Sequence, residues 1–228
     1  MKRSDINAIV SAADRFIAGF GFALPPFAGW TPAQFGDEAP NARRLVDARL
    51  GWDVTDYGQG RFDELGLVLF TLRNGRIDEL QAGRGMVYAE KLLISRVGQL
   101  SPMHRHIVKT EDIINRGGGA LAVELFALAP DGGLDRAAQV QVLSDGKWCT
   151  LPAGGVLRLA PGQSVTLTPA HWHAFWAEGA DVLIGEVSTV NDDETDNIFA
   201  DPLPRFCDID EDEPPARLLV SDYARFLG

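Results

Sequence analysis

Residues 98–111 of the chain read GQLSPMHRHIVKTE. In a β-strand, residues two apart point to the same face, so His104 and His106 reach the same point. Glu111 lies five positions after His106 and has the opposite parity, so the chain must bend between them. Beyond that bend, Lys109 shares the parity of Glu111 and would face the same space. The stretch therefore predicts strand segments joined by a turn, with polar side chains converging inside a β fold.

The other two histidines of the chain, His171 and His173, form a second cluster. Either cluster alone is more often a polar strand end than a ligand pair, but together they suggest one site. Three neutral imidazoles and a carboxylate suit a borderline divalent transition metal. Structural zinc sites are typically closed and rich in cysteine, whereas Cys149 and Cys207 lie in no CxxC and beside no histidine. We therefore expect a metal site that keeps open coordination positions.

Short apolar runs separated by turn residues surround both clusters. The eight runs are LGLVLFTL (65–72), MVYAEKLLIS (86–95), LAVELFAL (121–128), AQVQVL (138–143), GGVLRLAPG (154–162), SVTLTP (164–169), HAFWA (173–177) and DVLIGEVSTV (181–190). The turns are typical of hairpins: Asn74–Gly75, Asp131–Gly132–Gly133, Asp145–Gly146 and Ala160–Pro161–Gly162. Short runs with no long helical pattern between them favour a mainly β fold, an antiparallel barrel or jelly roll.

Both ends of the chain have a different pattern. Apolar residues fall at helical spacing after a potential N-cap at Ser4, and Thr31–Pro32 is a second helix start, with an interruption at Pro40. The acidic, proline-containing segment 191–215 is typical of a surface loop, and LLVSDYARFL (218–227) predicts a strand or a short helix.

These patterns define the expected domain organisation. We expect a single domain over residues 1–228. Residues 1–50 form a helical extension packed outside the barrel, residues 51–190 form the barrel, and residues 191–228 form a C-terminal wrapping segment.

The composition narrows the function classes. The net charge of −11 disfavours nucleic acids and anionic membrane surfaces as partners. No stretch approaches the length of a membrane helix, and Asp5, Asp14 and Arg15 interrupt any signal-peptide core. We therefore expect a cytoplasmic protein with free thiols, and a homodimer because dimers are the commonest oligomers.

The two histidine clusters resemble the two motifs of the cupin superfamily. Gly98-QLSPM-His104-Arg-His106-IVKT-Glu111, followed by Gly117–Gly118, resembles the first motif. Pro161–Gly162, Pro169 and His173 resemble the second, with a different spacing between proline and histidine. The resemblance implies a cupin-type barrel and the metal ligands His104, His106, Glu111 and His173. His171 remains the competitor for the fourth ligand.

A wider set of motifs resembles the D-lyxose isomerases, which are cupin sugar isomerases that usually depend on manganese. The motifs are Asp56-Tyr57-Gly58-x-Gly60, Gly66-Leu67, Tyr88-AEKLLIS-RVGQ, HRHIVKTE, Gly185-Glu186-Val187-Ser188 and Asp196-NIFAD-Pro202. The implied reaction converts D-lyxose to D-xylulose, and D-mannose to D-fructose, by moving a proton between C1 and C2 through a cis-enediol. The implied cofactor is Mn²⁺, with Co²⁺ or another divalent transition metal as the alternative.

This reaction needs a carboxylate to carry the proton. Glu186 is the first candidate, because burial within the apolar run 181–190 would raise its pKa toward a useful range. An acid from Asp208–Glu213, folded over the mouth of the barrel, is the rival. Lys91 and Lys109 are candidates to donate to a substrate oxygen or to offset developing negative charge.

Four further residues are candidates for binding the sugar. Asp56 and Tyr57 either bind hydroxyl groups or fix a turn, and Trp172 and Phe175 offer apolar walls.

Two other functions remain open. The same ligands suit a metal dioxygenase or oxidase, and the protein could also be a sugar-binding cupin without turnover. The sequence does not fix the preferred aldose.

Overall fold

A computed structural model of the chain describes residues 1–38 and 41–227. The N-terminal part contains helices α1 (Arg3–Gly19), α2 (Pro32–Glu38) and α3 (Arg43–Asp47), with a 3₁₀ turn at Pro26–Gly29. Pro40, the expected interruption, lies outside the described residues. Across the described ranges, no helix combines the length and the apolar character needed to cross a membrane.

Helix α1 begins earlier than its sequence signal indicates. Ser4 was expected to cap it, but the helix starts at Arg3 and Ser4 lies inside its first turn. The backbone N–H of Arg3 donates to the Asp210 carbonyl, and both the N–H and the hydroxyl of Ser4 donate to Asp212. The C-terminal segment therefore satisfies the exposed amides of this helix end in place of a local cap.

The remainder of the chain is mostly strand. The strands are β1 (Gly51–Thr55), β2 (Leu67–Asn74), β3 (Tyr88–Ser95), β4 (Leu100–His106), β5 (Glu111–Leu128), β6 (Leu134–Asp135), β7 (Val140–Ser144), β8 (Lys147–Leu151), β9 (Gly155–Leu159), β10 (Ser164–Leu167), β11 (His171–Thr189) and β12 (Asn197–Phe199). Helix α4 (Ile77–Gln81) lies between β2 and β3, and a 3₁₀ turn (Val220–Asp222) leads into α5 (Tyr223–Phe226).

Strands β5 and β11 organise the sheet. They pair with each other along most of their length, and the main strand order is β1-β2-β3-β11-β5-β10-β7-β8, with β4 on β11 and both β6 and β9 on β5. Every pair of named strands is antiparallel, as in the first and last pairs of that order. The prediction of a mainly β, antiparallel fold is confirmed.

The chain buries both faces of β2 and β3. Leu67 and Leu69 point into the inner core, whereas Val68 and Phe70 point outward against α1. This explains why the run LGLVLFTL is continuously apolar instead of alternating with polar residues. The N-terminal helices therefore pack outside the sheet, as the sequence predicts, and the inner face of β3 is left to carry Lys91 among apolar neighbours.

The segment after β11 differs from the surface loop that was expected. Strand β12 pairs with β4, Asp196 is buried, and Asp193 is partly buried. Asp193 pairs with cationic side chains, and Asp196 accepts hydrogen bonds from backbone N–H groups. The composition of the segment does not indicate these partners. The C-terminal decapeptide forms the 3₁₀ turn and α5, which is the helical alternative.

The acids of Asp208–Glu213 lie against α1 and not over a barrel mouth. Glu211 and Asp222 both bind the fully buried Arg3 guanidinium, and Glu213 accepts a hydrogen bond from Asn7. These contacts tie the two ends of the chain together. They also keep this acidic segment away from the histidine cluster, so its expected place as a rival base is not supported.

A glycine of the first motif is predicted to be essential for pairing β5 with β11. Gly118 has a φ of +105°, and a Cβ there would overlap the carbonyl oxygen of Asp181. Gly162 has a φ of +92° but open space around its Cα, so Gly162→Ala is a matched control for backbone strain. Gly118→Ala should lower the free energy of unfolding by about 1–3 kcal/mol more than the control. Denaturant titration measures the difference, and equal losses would contradict the overlap.

Candidate active site

Three histidines converge inside the barrel. His104 and His106 lie on β4, and His173 lies on β11 directly opposite His104. One ring nitrogen of each lies within 4.8 Å of those of the other two, and the ring centroids of His104 and His173 are 4.1 Å apart. Such a group can hold a metal ion.

The protonation of these rings suits metal binding. Each Nδ1 faces a backbone carbonyl oxygen, to which it donates if it carries the ring proton, so that Nε2 keeps its lone pair. The distances are 2.8 Å from His104 to Pro102, 3.2 Å from His106 to Asp196 and 3.4 Å from His173 to His171. Burial lowers the pKa of His104 and His106, and cationic or imidazole neighbours lower it further, which favours the neutral form.

Glu111, the first residue of β5, completes the cluster. Its Oε1 lies 3.2 Å from Nε2 of His106 and 3.2 Å from Nε2 of His173. All three atoms are buried and have no hydrogen-bond partner. With the tautomers above, they are lone-pair acceptors facing one another, an arrangement that is unfavourable unless a cation joins them. The donor set therefore fits a divalent metal ion.

A buried lysine joins this cluster to a second carboxylate. The Lys109 ammonium lies 2.6 Å from Oε2 of Glu111, 2.9 Å from Oε1 of Glu186 and 3.3 Å from Oδ1 of Asn191. Burial lowers the pKa of Lys109, but the two carboxylates more than offset it and the pKa lies above its ordinary value. Lys109 therefore stays charged between the metal-site carboxylate and Glu186.

Glu186 also faces Lys91, its cross-strand neighbour on β3. The Lys91 ammonium lies 3.7 Å from Glu186 and 3.6 Å from Asp193. Burial raises the pKa of Asp193, but Lys91 and then Arg205 outweigh it, so the pKa lies well below its usual range. Positive and negative charges thus alternate through the pocket, which supplies the partners that a buried glutamate requires.

The pocket walls include some of the expected sugar-binding residues. Tyr57 and Phe175 line the pocket beside the histidines. Asp56 does not line it, because its carboxylate accepts hydrogen bonds from the N–H groups of Gly58 and Gly60, both at 2.9 Å. Asp56 therefore fixes the turn, which was the alternative given for it. That turn holds Tyr57 at a φ of +52°.

Trp172 and His171 also lie outside the pocket. The Trp172 indole N–H donates to the Gly133 carbonyl at 3.0 Å, because Trp172 and His173 are neighbours in β11 and face opposite sides. In His171, Nδ1 accepts the Thr168 N–H at 3.0 Å and Nε2 lies 3.0 Å from the Gln141 carbonyl oxygen. The expected wall at Trp172 is therefore not formed, and both His171 nitrogens are engaged elsewhere.

Several pocket residues had no sequence-based prediction. They are Ser101 on β4 and, from the segment after β11, Asp193, Asn197, Phe199 and Arg205. The guanidinium of Arg205 donates to Asp53 at 2.7 Å, while its Nη1 is buried without a partner. Of these pocket residues, only Asn197 and Phe199 fall within the quoted Asp196–Pro202 motif, which carries no predicted role.

The fold and this site together define a cupin barrel with a site able to hold a metal. Solved structures with the same fold include L-ribose isomerases. The Acinetobacter sp. DL28 enzyme in complex with L-ribose has a TM-score of 0.58 at 14% identity, covering 91% of this chain and 98% of that one. The Cellulomonas parahominis enzyme with L-psicose has a TM-score of 0.57 at 19% identity, covering 92% and 98%.

Sequence similarity gives the family. The D-lyxose isomerase family profile matches residues 1–223. The chain is 50% identical to a D-lyxose/D-mannose isomerase of Serratia proteamaculans over 232 residues, with all of both chains covered. It is 46% identical to one of Escherichia coli O157:H7, covering 99% of this chain and 100% of that one. The chain therefore belongs to the D-lyxose isomerase family and is an isomerase, as the motif resemblance implied.

The geometry predicts different consequences for the two histidines of the second cluster. His173→Ala removes a ring nitrogen from the cluster and should weaken binding of a divalent metal by about 10-fold or more. His171→Ala removes only hydrogen bonds at the barrel surface and should leave metal affinity nearly unchanged. Competition with a chelating dye measures both, and the reverse order would exchange the two residues as ligands.

Proposed function

We propose that this protein is a metal-dependent aldose–ketose isomerase that converts D-lyxose to D-xylulose and D-mannose to D-fructose. The ligands are His104, His106, Glu111 and His173, and Mn²⁺ is the proposed metal, with Co²⁺ as an alternative. The substrates follow from the relatives named D-lyxose/D-mannose isomerase at 50% and 46% identity.

One observation carries the proposal. Three buried acceptor atoms, on His106, His173 and Glu111, face one another without hydrogen-bond partners. They lie in the same pocket as Glu186, a second carboxylate that is 4% exposed. A ligand set and a separate buried carboxylate are the two components that proton transfer next to a sugar carbonyl requires.

The chemistry divides between the metal and the chain. When bound, a divalent metal supplies Lewis-acid stabilisation of negative charge on adjacent sugar oxygens. Glu186 takes the proton from C2 of the aldose and returns it to C1, while the hydroxyl proton passes from O2 to O1, so that a cis-enediol separates the two carbon steps. A carboxylate serves both steps because, once protonated, it becomes the acid for the second.

The two lysines hold Glu186 in place. Lys109 donates to Oε1 of Glu186 at 2.9 Å, and the Lys91 ammonium lies 3.7 Å from the same oxygen. A charged hydrogen bond fixes the carboxylate without an intervening water. Lys109 and Lys91 also offset negative charge that develops on the sugar oxygens, while Tyr57 and Phe175 exclude water from the reacting carbons.

The domain organisation, oligomeric state and location complete the proposal. We propose one domain over residues 1–228, acting as a homodimer in the cytoplasm. Free Cys149 and Cys207 suit a reducing compartment, and β8, at one end of the main strand order, carries the exposed Trp148 as an apolar surface for a second subunit. Light scattering should give about twice the chain mass of 24.8 kDa, and a particle of 24.8 kDa would contradict the dimer.

Metal removal tests the proposed activity directly. Protein loaded with Mn²⁺ should form D-xylulose from D-lyxose, because the metal stabilises the charge that develops on oxygen. Chelation should abolish ketose formation, and added Mn²⁺ or Co²⁺ should restore it. Absence of ketose from both D-lyxose and D-mannose with either metal would refute the proposal.

Glu186→Gln separates metal binding from proton transfer. The variant should bind metal like the wild type, since Glu186 is not among the proposed ligands, and should lose about 10²–10⁴-fold in kcat. Glu178→Gln is the matched control, because Glu178 lies on the same strand but pairs with the exposed Arg158. Initial rates with D-lyxose measure both, and full activity in Glu186→Gln would remove its assigned role.

A further inference from the structure

Asp196 holds the connection between two of the proposed metal ligands. Its carboxylate accepts hydrogen bonds from three consecutive backbone N–H groups, those of Ile107 at 2.8 Å, Val108 at 2.7 Å and Lys109 at 2.9 Å. These three residues lie in the turn between His106 and β5. Asp196 itself is only 5% exposed.

The backbone of Asp196 contacts His106, the residue that precedes this turn. Its carbonyl oxygen lies 3.2 Å from Nδ1 of His106. Asp196 therefore contacts two residues of the site. One contact is with the ring of His106, whose Nε2 must face the metal site. The other is with the main chain of Lys109, whose ammonium lies between two carboxylates. No other residue in the described ranges 1–38 and 41–227 binds three consecutive amides of this turn.

We infer that Asp196 is a positioning residue for the site, which orients His106 and Lys109 before any metal or sugar binds. The expected effect of Asp196 on turnover rests on the proposed function, whereas its expected effect on metal binding is measured without turnover. Three converging amides prefer an anionic acceptor, and the bend after His106 brings them together. The side chain of Lys109 can then reach both Glu111 and Glu186.

Asp196→Asn is the informative substitution. Asparagine keeps the size of the side chain but replaces one acceptor oxygen with an NH₂ group, which is a donor facing amide donors. The turn should loosen while the β4–β12 pairing beside it remains. The matched control is Asp135→Asn, since Asp135 also accepts two backbone N–H groups, at 2.9 Å and 2.8 Å, in a turn outside the pocket.

The test uses Co²⁺-loaded full-length protein at a temperature well below the unfolding midpoint of each variant. In Asp196→Asn, chelator competition should show metal affinity lowered about 10-fold or more, with a changed visible Co²⁺ spectrum. The kcat for D-lyxose should fall further than KM rises. Asp135→Asn should match the wild type in affinity, spectrum and kcat. A lower unfolding midpoint with wild-type affinity, spectrum and kcat would reduce Asp196 to a structural role and overturn the inference.

A measurement on the wild type covers the case in which Asp196→Asn fails to fold. Hydrogen exchange of the metal-free protein should show slow exchange at the amides of residues 107–109, because Asp196 already binds them. Exchange as fast as that of an exposed loop would overturn the inference. A protein that binds Co²⁺ but forms no ketose would refute the proposed activity alone, since the affinity, spectrum and exchange readouts do not depend on turnover.

Discussion

The site depends on the ion pairs that the buried ammonium of Lys109 makes. This ammonium lies between Glu111 and Glu186, both at hydrogen-bonding distance. All three side chains are buried, and a buried carboxylate or ammonium is costly without a partner of opposite charge. Lys109 therefore links Glu111, which faces the histidines, to Glu186, the proposed proton carrier.

The barrel supplies this arrangement through one long strand. Strand β11 carries His173 near its start and Glu186 near its end, and pairs with β4 at the first and with β3 at the second. The proposed metal ligands and the proposed proton carrier are thus fixed to the same element. Gly118 and Gly119 in β5 permit the close approach of the two long strands in the stretch between His173 and Glu186.

The spacing of residues along a strand predicted those features of the site that depend on which face of the strand a side chain occupies. The two-residue spacing of His104 and His106 and the bend before Glu111 follow from strand parity, and the structure brings the three together. Parity also explains a miss, since Trp172 has the opposite parity to His173 and so leaves the pocket. Asp193 and Arg205 were beyond such reasoning. Their place in the pocket depends on partners from distant strands, whereas an acidic, proline-containing segment is typical of an exposed loop.

The central claim is that Glu186 moves a proton between adjacent sugar carbons. Isomerisation of D-lyxose carrying deuterium at C2, run in ordinary water and followed by mass spectrometry of the ketose, tests it most directly. A carboxylate that holds the deuteron between two steps exchanges part of it with water, so the account predicts D-xylulose with less than full label. Complete retention of deuterium at C1 in the wild type, together with undiminished ketose formation by Glu186→Gln, would indicate direct transfer between the carbons and would contradict the account.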